Sequence, residues 1–309
     1  MSRTFLQLVQ AAADELGIPQ PSQVIGASDD QSRQLLALAN REGKQFSVRA
    51  NGSGGWQKLH KEYVFFTEVP AATTGSTTDG STIITSIPST SGITADTYFV
   101  SGTGLPTYAK VASVDSSTQV TLDRPCTATG TGVALQFAQG GYSLPSDLEY
   151  FVQKGFWDGS YRWQLLGPIS AQEKQLLRYG ISPVGPRRRF YIRNSKLYLN
   201  PPPSTDNETI AYDYYSNAWC ESSGGTAQTI WTADTDVYRL DEDCFILGLK
   251  CRFLRAKGFD YSEEYSLYED AANRVMSRDG ANRDLPLNAR SQELTLLSSA
   301  NIPDTGFGS

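Results

Sequence analysis

Residues 240–280 read LDEDCFILGLKCRFLRAKGFDYSEEYSLYEDAANRVMSRDG, and their pattern predicts two helices broken at Gly258. Asp241, Glu242 and Asp243 open the first helix, and Arg252, Arg255 and Lys257 close it. That order sets each charge at the end of the helix dipole that attracts it. Gly258 suits the left-handed residue that terminates a helix. Asp260, with Glu263 three residues on, offers a cap and a partial capping box for the second helix.

Stepping about 100° per residue, the second helix carries one apolar face, made of Tyr265, Tyr268, Ala271, Ala272, Val275 and Met276. The first carries two. Cys244, Leu247, Cys251 and Leu254 line one side, while Phe245, Leu249, Phe253 and Ala256 line nearly the opposite side. A helix with two apolar faces is sandwiched between two partners. Either it is the central helix of a monomeric bundle, or one face meets the protomer's own core and the other meets another subunit. On the second reading Phe245, Leu249 and Phe253, with Arg252 and Arg255 on the flank, are candidate subunit-interface residues.

Working outward, residues 4–16 form an amphipathic helix with Phe5, Val9, Ala12 and Leu16 on one face, ended by Gly17. A second, capped by Asp29 or Asp30, runs over 31–48 with Leu35, Leu38, Ala39 and Phe46 inward. Both read as bundle partners for the 240–280 pair. A glycine-rich turn at 51–55 and Trp56 lead to a strand at 63–67.

From 72 to 139 serine, threonine and glycine dominate and charges are sparse. Short β-branched runs recur at 82–85, 97–100, 109–114, 119–122 and 133–137, with turn residues between them, which predicts a small β-sandwich or barrel. The alternative is a long decorated hairpin without its own core. Aromatic-rich strands follow at 148–152, 156–158 and 163–166, then a helix started by a Ser170/Glu173 capping box. Residues 189–193 and 196–200 flank Asn194-Ser195 as a tight hairpin, and 209–215 is a further strand. Beyond Arg283 the tail is polar, with Leu285, Leu287, Leu294, Leu296 and Leu297 scattered and no usable period.

The expected fold class is therefore α+β. It comprises a helical bundle of about four long helices with an antiparallel β region, an inserted all-β module of sandwich or barrel type, and an extended C-terminal arm. Residues 1–71 and 140–283 form the expected core, 72–139 the inserted module and 284–309 the arm.

Charge and composition exclude several functions. A net charge of −6 disfavours a protein that grips nucleic acid, although a wall past which DNA slides is compatible with it. The four cysteines form no C-x-x-C pair and read as packed thiols in a reducing compartment. The N-terminus has Asp14 and Glu15 where a signal peptide would be apolar, and no stretch is long enough to span a bilayer, so the expectation is a soluble chain made in a cytoplasm. His60 is the only histidine, which removes histidine-based zinc signatures, and no G-x-S-x-G surrounds a serine. No Walker A or G-x-G-x-x-G sequence follows a strand. The acid pairs at 241–243 and 263–264 are explained by helix capping. No enzyme, cofactor or metal site is expected. Arg187, Arg188 and Arg189 form the strongest basic cluster, read as a solvated turn, an inter-subunit salt-bridge row or a DNA-facing ring of charge in an oligomer.

Four stretches then carry a resemblance: FWDGSYRWQLLGPISAQEKQLL at 156–177, PRRRFYIRNSKLYLNPPPS at 186–204, TIAYDYYSNAWC at 209–220, and WTADTDVYRLDEDCFILGLKCRFLRAKGFDYSEEYSLYEDA at 231–271. In this order, after an amphipathic N-terminal helix pair, they resemble the head-to-tail adaptor (connector, tail tubular or head-completion) proteins of tailed bacteriophages. The resemblance covers about 1–66 and 140–283 and departs at 72–139, which the short adaptors lack.

It implies a structural virion protein at the head–tail junction, a ring of usually about twelve copies. Such a ring docks beneath the portal of the capsid, continues the DNA channel without sequence-specific binding, and presents a platform for the tail tube or nozzle. It also implies a C-terminal arm that reaches the portal, which makes Leu287, Leu294, Leu296 and Leu297 candidate portal contacts. The alternative expectation is a tail component whose β-module binds a receptor or glycan.

Overall fold

The computed structural model describes residues 2–49, 55–70, 72–179 and 188–279. Five α-helices lie among them: α1 Phe5–Leu16, α2 Asp30–Val48, α3 Ala171–Tyr179, α4 Glu242–Lys257 and α5 Ser262–Asp279. Their ends follow the local chemistry. Thr4 and Gln7 make a reciprocal capping box at α1, Asp29 accepts the Ser32 N–H at 2.8 Å, and Asp241 accepts the Cys244 N–H at 2.9 Å. Gly17 and Gly258 close α1 and α4 at φ 65° and 79°, which L side chains rarely adopt.

α4 packs against α1, α2 and α5, and both of its apolar faces are covered within the chain. Phe245 meets Tyr238 and Trp231, with ring centroids 4.8 and 5.8 Å away. Phe5 of α1 stacks on Trp231 at 4.4 Å, and Phe46 of α2 lies 4.8 Å from Trp56. α2 approaches this core through Gly43, where an added Cβ would overlap the buried indole of Trp219.

The expected bundle of about four long helices is not the organising core of the molecule. The described residues also hold sixteen strands, whose sheets are antiparallel. α1 has only 12 residues, and Trp219, Trp231 and Tyr238, from the segment before α4, complete the enclosure. Apolar periodicity states that a helix face is covered, but not whether a helix or a non-helical segment covers it.

Thirteen of the strands fall into three larger sheets. β1 His60–Phe66 is followed by β2 Thr73–Thr77, β3 Ile83–Ile84, β4 Tyr98–Gly102, β5 Ala109–Ser116, β6 Gln119–Leu122 and β7 Gly130–Gln139. Then come β8 Gly141–Ser143, β9 Leu148–Asp158, β10 Trp163–Gln164, β11 Arg189–Arg193, β12 Lys196–Asn200 and β13 Thr209–Ser216. The remaining short strands, β14 Cys220–Glu221, β15 Ala227–Gln228 and β16 Val237–Tyr238, form a small sheet beside the helices, so β14 carries the chain out of the strand-rich part.

β1, β13, β9 and β10 make one antiparallel sheet in that order, with Tyr63 opposite Tyr212 and Ile210 opposite Asp158. The two strands expected at 148–152 and 156–158 are one, because a bulge near Tyr212–Tyr214 absorbs the break in alternation. β11, β12 and β8 form a second sheet. An aromatic core unites the two: Phe156 stacks on Phe190 at 4.1 Å and Phe65 meets Tyr142 at 4.4 Å. The β11–β12 hairpin turns on Asn194 and Ser195, both left-handed at φ 50° and 54°, as a two-residue turn between twisted strands requires.

Residues 73–139 form a six-stranded antiparallel sheet ordered β2-β7-β4-β5-β6-β3. A bridge from Ser76 to Thr85 joins its two edges and nearly closes it into a barrel. Ile84, Val100, Val111, Val120, Leu135 and Phe137 fill its interior, separate from the other cores. β2, of sequence TTGST, is the strand that β-branched patterning missed, because it contributes no large apolar side chain. The module is tied down where it leaves the core: Tyr98 donates to Glu68 at 2.9 Å, and Gly140 and Gly141 N–H groups both bond the Thr97 carbonyl.

Candidate functional site

Along α2 the inward positions run Leu35, Ala39, Glu42 and Phe46, spaced four, three and four, so a carboxylate occupies a place in the apolar stripe. Glu42 is 1% exposed. Burying it requires partners, since an uncompensated charge in such a place is strongly unfavourable. Its Oε1 accepts the Tyr268 hydroxyl at 2.7 Å from α5, and its Oε2 accepts Nε of Arg252 from α4. Arg252 continues to Gln45 at 2.6 Å. Gly248 of α4 lies directly against the carboxylate. One side chain thus ties three helices. Burial, reinforced by Glu42, holds the Tyr268 phenol far above its ordinary pKa and hence as a donor.

Beside this triad, residues of α2, α4 and α5 line a groove of about 1100 Å³. Its lining carries five cations, Arg41, Lys44, Arg49, Arg252 and Arg255, against two carboxylates, Glu42 and Glu269. Arg49 is bonded to Glu269 and lies 5.7 Å over the Tyr268 ring. Arg41, Lys44 and Arg255 are exposed and have no carboxylate partner among the described residues. Val48 and Tyr265 stand about half exposed on the rim, at 50% and 49%. On a chain of net charge −6, the groove is an aromatic, positively charged concavity suited to an acidic or amphipathic partner segment.

No family model and no curated protein matches this chain.

The residues singled out by sequence are dispersed. Phe245, Leu249 and Phe253 are 0, 0 and 5% exposed in the protomer's own core, so the second apolar face of α4 is not an open subunit interface. The reason is that Tyr238, Trp231 and α2 supply cover that periodicity does not reveal. Arg252 is spent on Glu42, whereas Arg255 stands free at the groove. The basic cluster also separates. Arg188 is largely enclosed, its side chain 12% exposed, between Asp158, at 3.2 Å, and Glu208, and packs 5.3 Å from the Tyr161 ring. Its charge is therefore met by two carboxylates of the same protomer. Arg189 pairs with Glu173 at 2.5 Å, and Arg187 lies outside the described residues, as do Leu287, Leu294, Leu296 and Leu297.

Glu42, the tie beside the groove, is the residue that sequence reasoning missed, and its position inside the stripe was the available signal. The reactive groups offer little chemistry. His60, at the start of β1, sits 5.2 Å from the Tyr215 ring and 3.9 Å from Asp213, both on β13. Burial pushes the Cys220 and Cys244 thiols up to about 12 and Cys251 up to about 11, so all three stay protonated. Among the described residues no group of three or more histidine, cysteine or acidic side chains is arranged to hold a metal, and no helix is long and apolar enough to cross a membrane.

Proposed function

We propose that this chain is a structural subunit of a tailed-phage virion, one copy of a ring of about twelve that joins the portal to the tail and continues the DNA channel. The reading rests on the resemblance to head-to-tail adaptors over about 1–66 and 140–283. The observation that carries it furthest is the groove between α2, α4 and α5. Its breadth, exposed aromatic rim and unpartnered cations fit a protein-docking surface better than a small-molecule pocket. In this proposal the portal and the tail tube or nozzle protein are the partners. DNA passes without sequence-specific contact, the 284–309 arm engages the portal, and the 73–139 module projects from the ring.

Mass photometry and cryo-EM of the purified chain, alone and mixed with portal protein, test the proposal. Closed rings, or portal-bound rings, are the expected outcome. A monomer that never binds portal would sink it. A second reading, a tail component whose β-module binds a receptor glycan, is favoured by one observation: a cavity where that module meets the β11–β12 hairpin.

A further inference from the structure

The β-module and the two-sheet sandwich have separate hydrophobic cores, and between them lies a cavity of about 210 Å³. Seams of this kind are where ligand sites concentrate. The module contributes Asp96, Phe99, Tyr108 and Lys110, and the hairpin contributes Asn194 and Asn200. We infer that this cavity is a binding site for one neutral pyranose unit of a glycan. The inference deepens the second reading above and does not depend on the adaptor reading.

Size comes first. The volume is below that of sites for drug-sized ligands, which begin near about 300 Å³, and suits a single sugar ring. Chemistry comes next. The lining joins aromatic rings, against which the C–H face of a sugar packs, to planar amides and carboxylates that pair with neighbouring hydroxyls. The lining sets two carboxylates, Asp96 and Asp123, against three cations, Lys110, Lys174 and Arg193, a near balance that suits a neutral ligand. Lys110 is held by its ammonium to Asp96 at 2.5 Å, and its backbone N–H donates to Asp123 at 2.9 Å. Lys174 lies 4.5 Å over the Tyr191 ring. The carboxylates are thus fixed in place as acceptors. Hydrogen bonding to Lys110 holds Asp96 below the usual carboxylate range, so it is ionised at neutral pH.

The backbone adds an independent observation. Asp96, Tyr108 and Asn194 all adopt left-handed conformations, at φ 65°, 52° and 50°, and all three line this one cavity. Asparagine and aspartate tolerate that region, but for a residue as bulky as tyrosine it is a true outlier. Such strain gathers where side-chain direction matters. On the hairpin wall Tyr191 and Tyr198, both lining residues, stack at 5.0 Å and 5°.

The test is saturation-transfer difference NMR on the full chain with methyl glycosides of glucose, galactose, mannose and N-acetylglucosamine at millimolar concentration. Tyr108→Asn removes the ring while keeping a side chain that accepts the left-handed backbone, and Asp96→Asn removes the charge at constant shape. At least one glycoside should receive saturation, and each variant should weaken it at least about tenfold with an unchanged circular-dichroism spectrum. Absence of any signal from the folded wild-type chain would overturn the inference, as would binding that survives both substitutions. Ring formation with portal is a separate readout, so failure of one proposal leaves the other standing.

Discussion

Replacing Gly248 with alanine should destabilise this protein, although helix propensity alone argues the reverse. Glycine in a helix interior is less favourable than alanine by about 1 kcal/mol, and Gly248 is well inside the 16-residue α4. A Cβ at this position, however, would overlap Oε1 and Cδ of Glu42 and stand 3.0 Å from its Cγ. A glutamate end on the surface would swing aside at little cost. Glu42 is 1% exposed and bonded to Tyr268 and Arg252, so moving it breaks both bonds in a place water does not reach.

Hydrogen bonds to charged groups contribute about 1.5–3 kcal/mol each, so the gross loss is about 3–6 kcal/mol. Subtracting the propensity gain leaves about 2–5 kcal/mol of net destabilisation. Arg252 keeps 20% of its side chain in solvent and can rehydrate, which favours the lower half of that range. Guanidinium denaturation followed by tryptophan fluorescence is suited to the measurement, because Trp56, Trp219 and Trp231 all lie in the core that α4 organises. A Glu42→Ala/Gly248→Ala double variant should be strongly non-additive, losing little beyond Glu42→Ala alone. If Gly248→Ala proves as stable as the parent, or more so, the account of Glu42 as a three-helix tie is wrong.

Three further outcomes are expected. The thiols of Cys126, Cys220, Cys244 and Cys251 are buried, and burial raises the pKa of each, so Ellman's reagent at pH 8 should leave the native protein unmodified and titrate four thiols after denaturation. Rapid modification of the native chain would contradict this burial. Ser195→Gly should stabilise the β11–β12 hairpin by about 0.5–1 kcal/mol, since glycine carries no penalty at φ 54°; a lowered melting temperature would count against the turn assignment. For Asp147, burial alone would raise the carboxyl pKa, but bonds from Lys61, Ser216 and Tyr214 outweigh it and hold the group below its usual range. A depressed folded-state pKa means stability present above the unfolded value of about 3.9 and lost as pH falls through the folded one. Asp147→Asn should therefore flatten the fall in melting temperature below about pH 4, and parallel profiles for the two proteins would refute the assignment.

Much of the local structure was legible because its causes are local. Asp29, Asp241 and Gly258 mark helix ends through bonds that reach no further than three or four residues, and Asn194-Ser195 marks its hairpin in the same way. The runs at 109–114 and 119–122 became paired strands because alternation and turn residues agreed there. Less of the candidate site could be read. Arg188 looked like part of a surface cluster because its partners, Asp158 and Glu208, lie 30 and 20 residues away in sequence. Arg252 looked like a flank of an interface because its partner is 210 residues away.

What the sequence determined by itself was the placing of helix caps, strands and turns, and the fact that α4 must be covered on two sides. Each of these depends on interactions within a few residues or on the period of one element. Which groups cover α4 was decided only by tertiary structure, which brings Trp231, Tyr238 and α2 to faces that could equally have met another subunit. The same holds for Glu42, whose burial is tolerable only because Arg252 and Tyr268 arrive from helices more than 200 residues away. Apolar periodicity encodes a demand for cover, but the free energy of burial is indifferent to the identity of the cover, so the chain's three-dimensional path had to settle it.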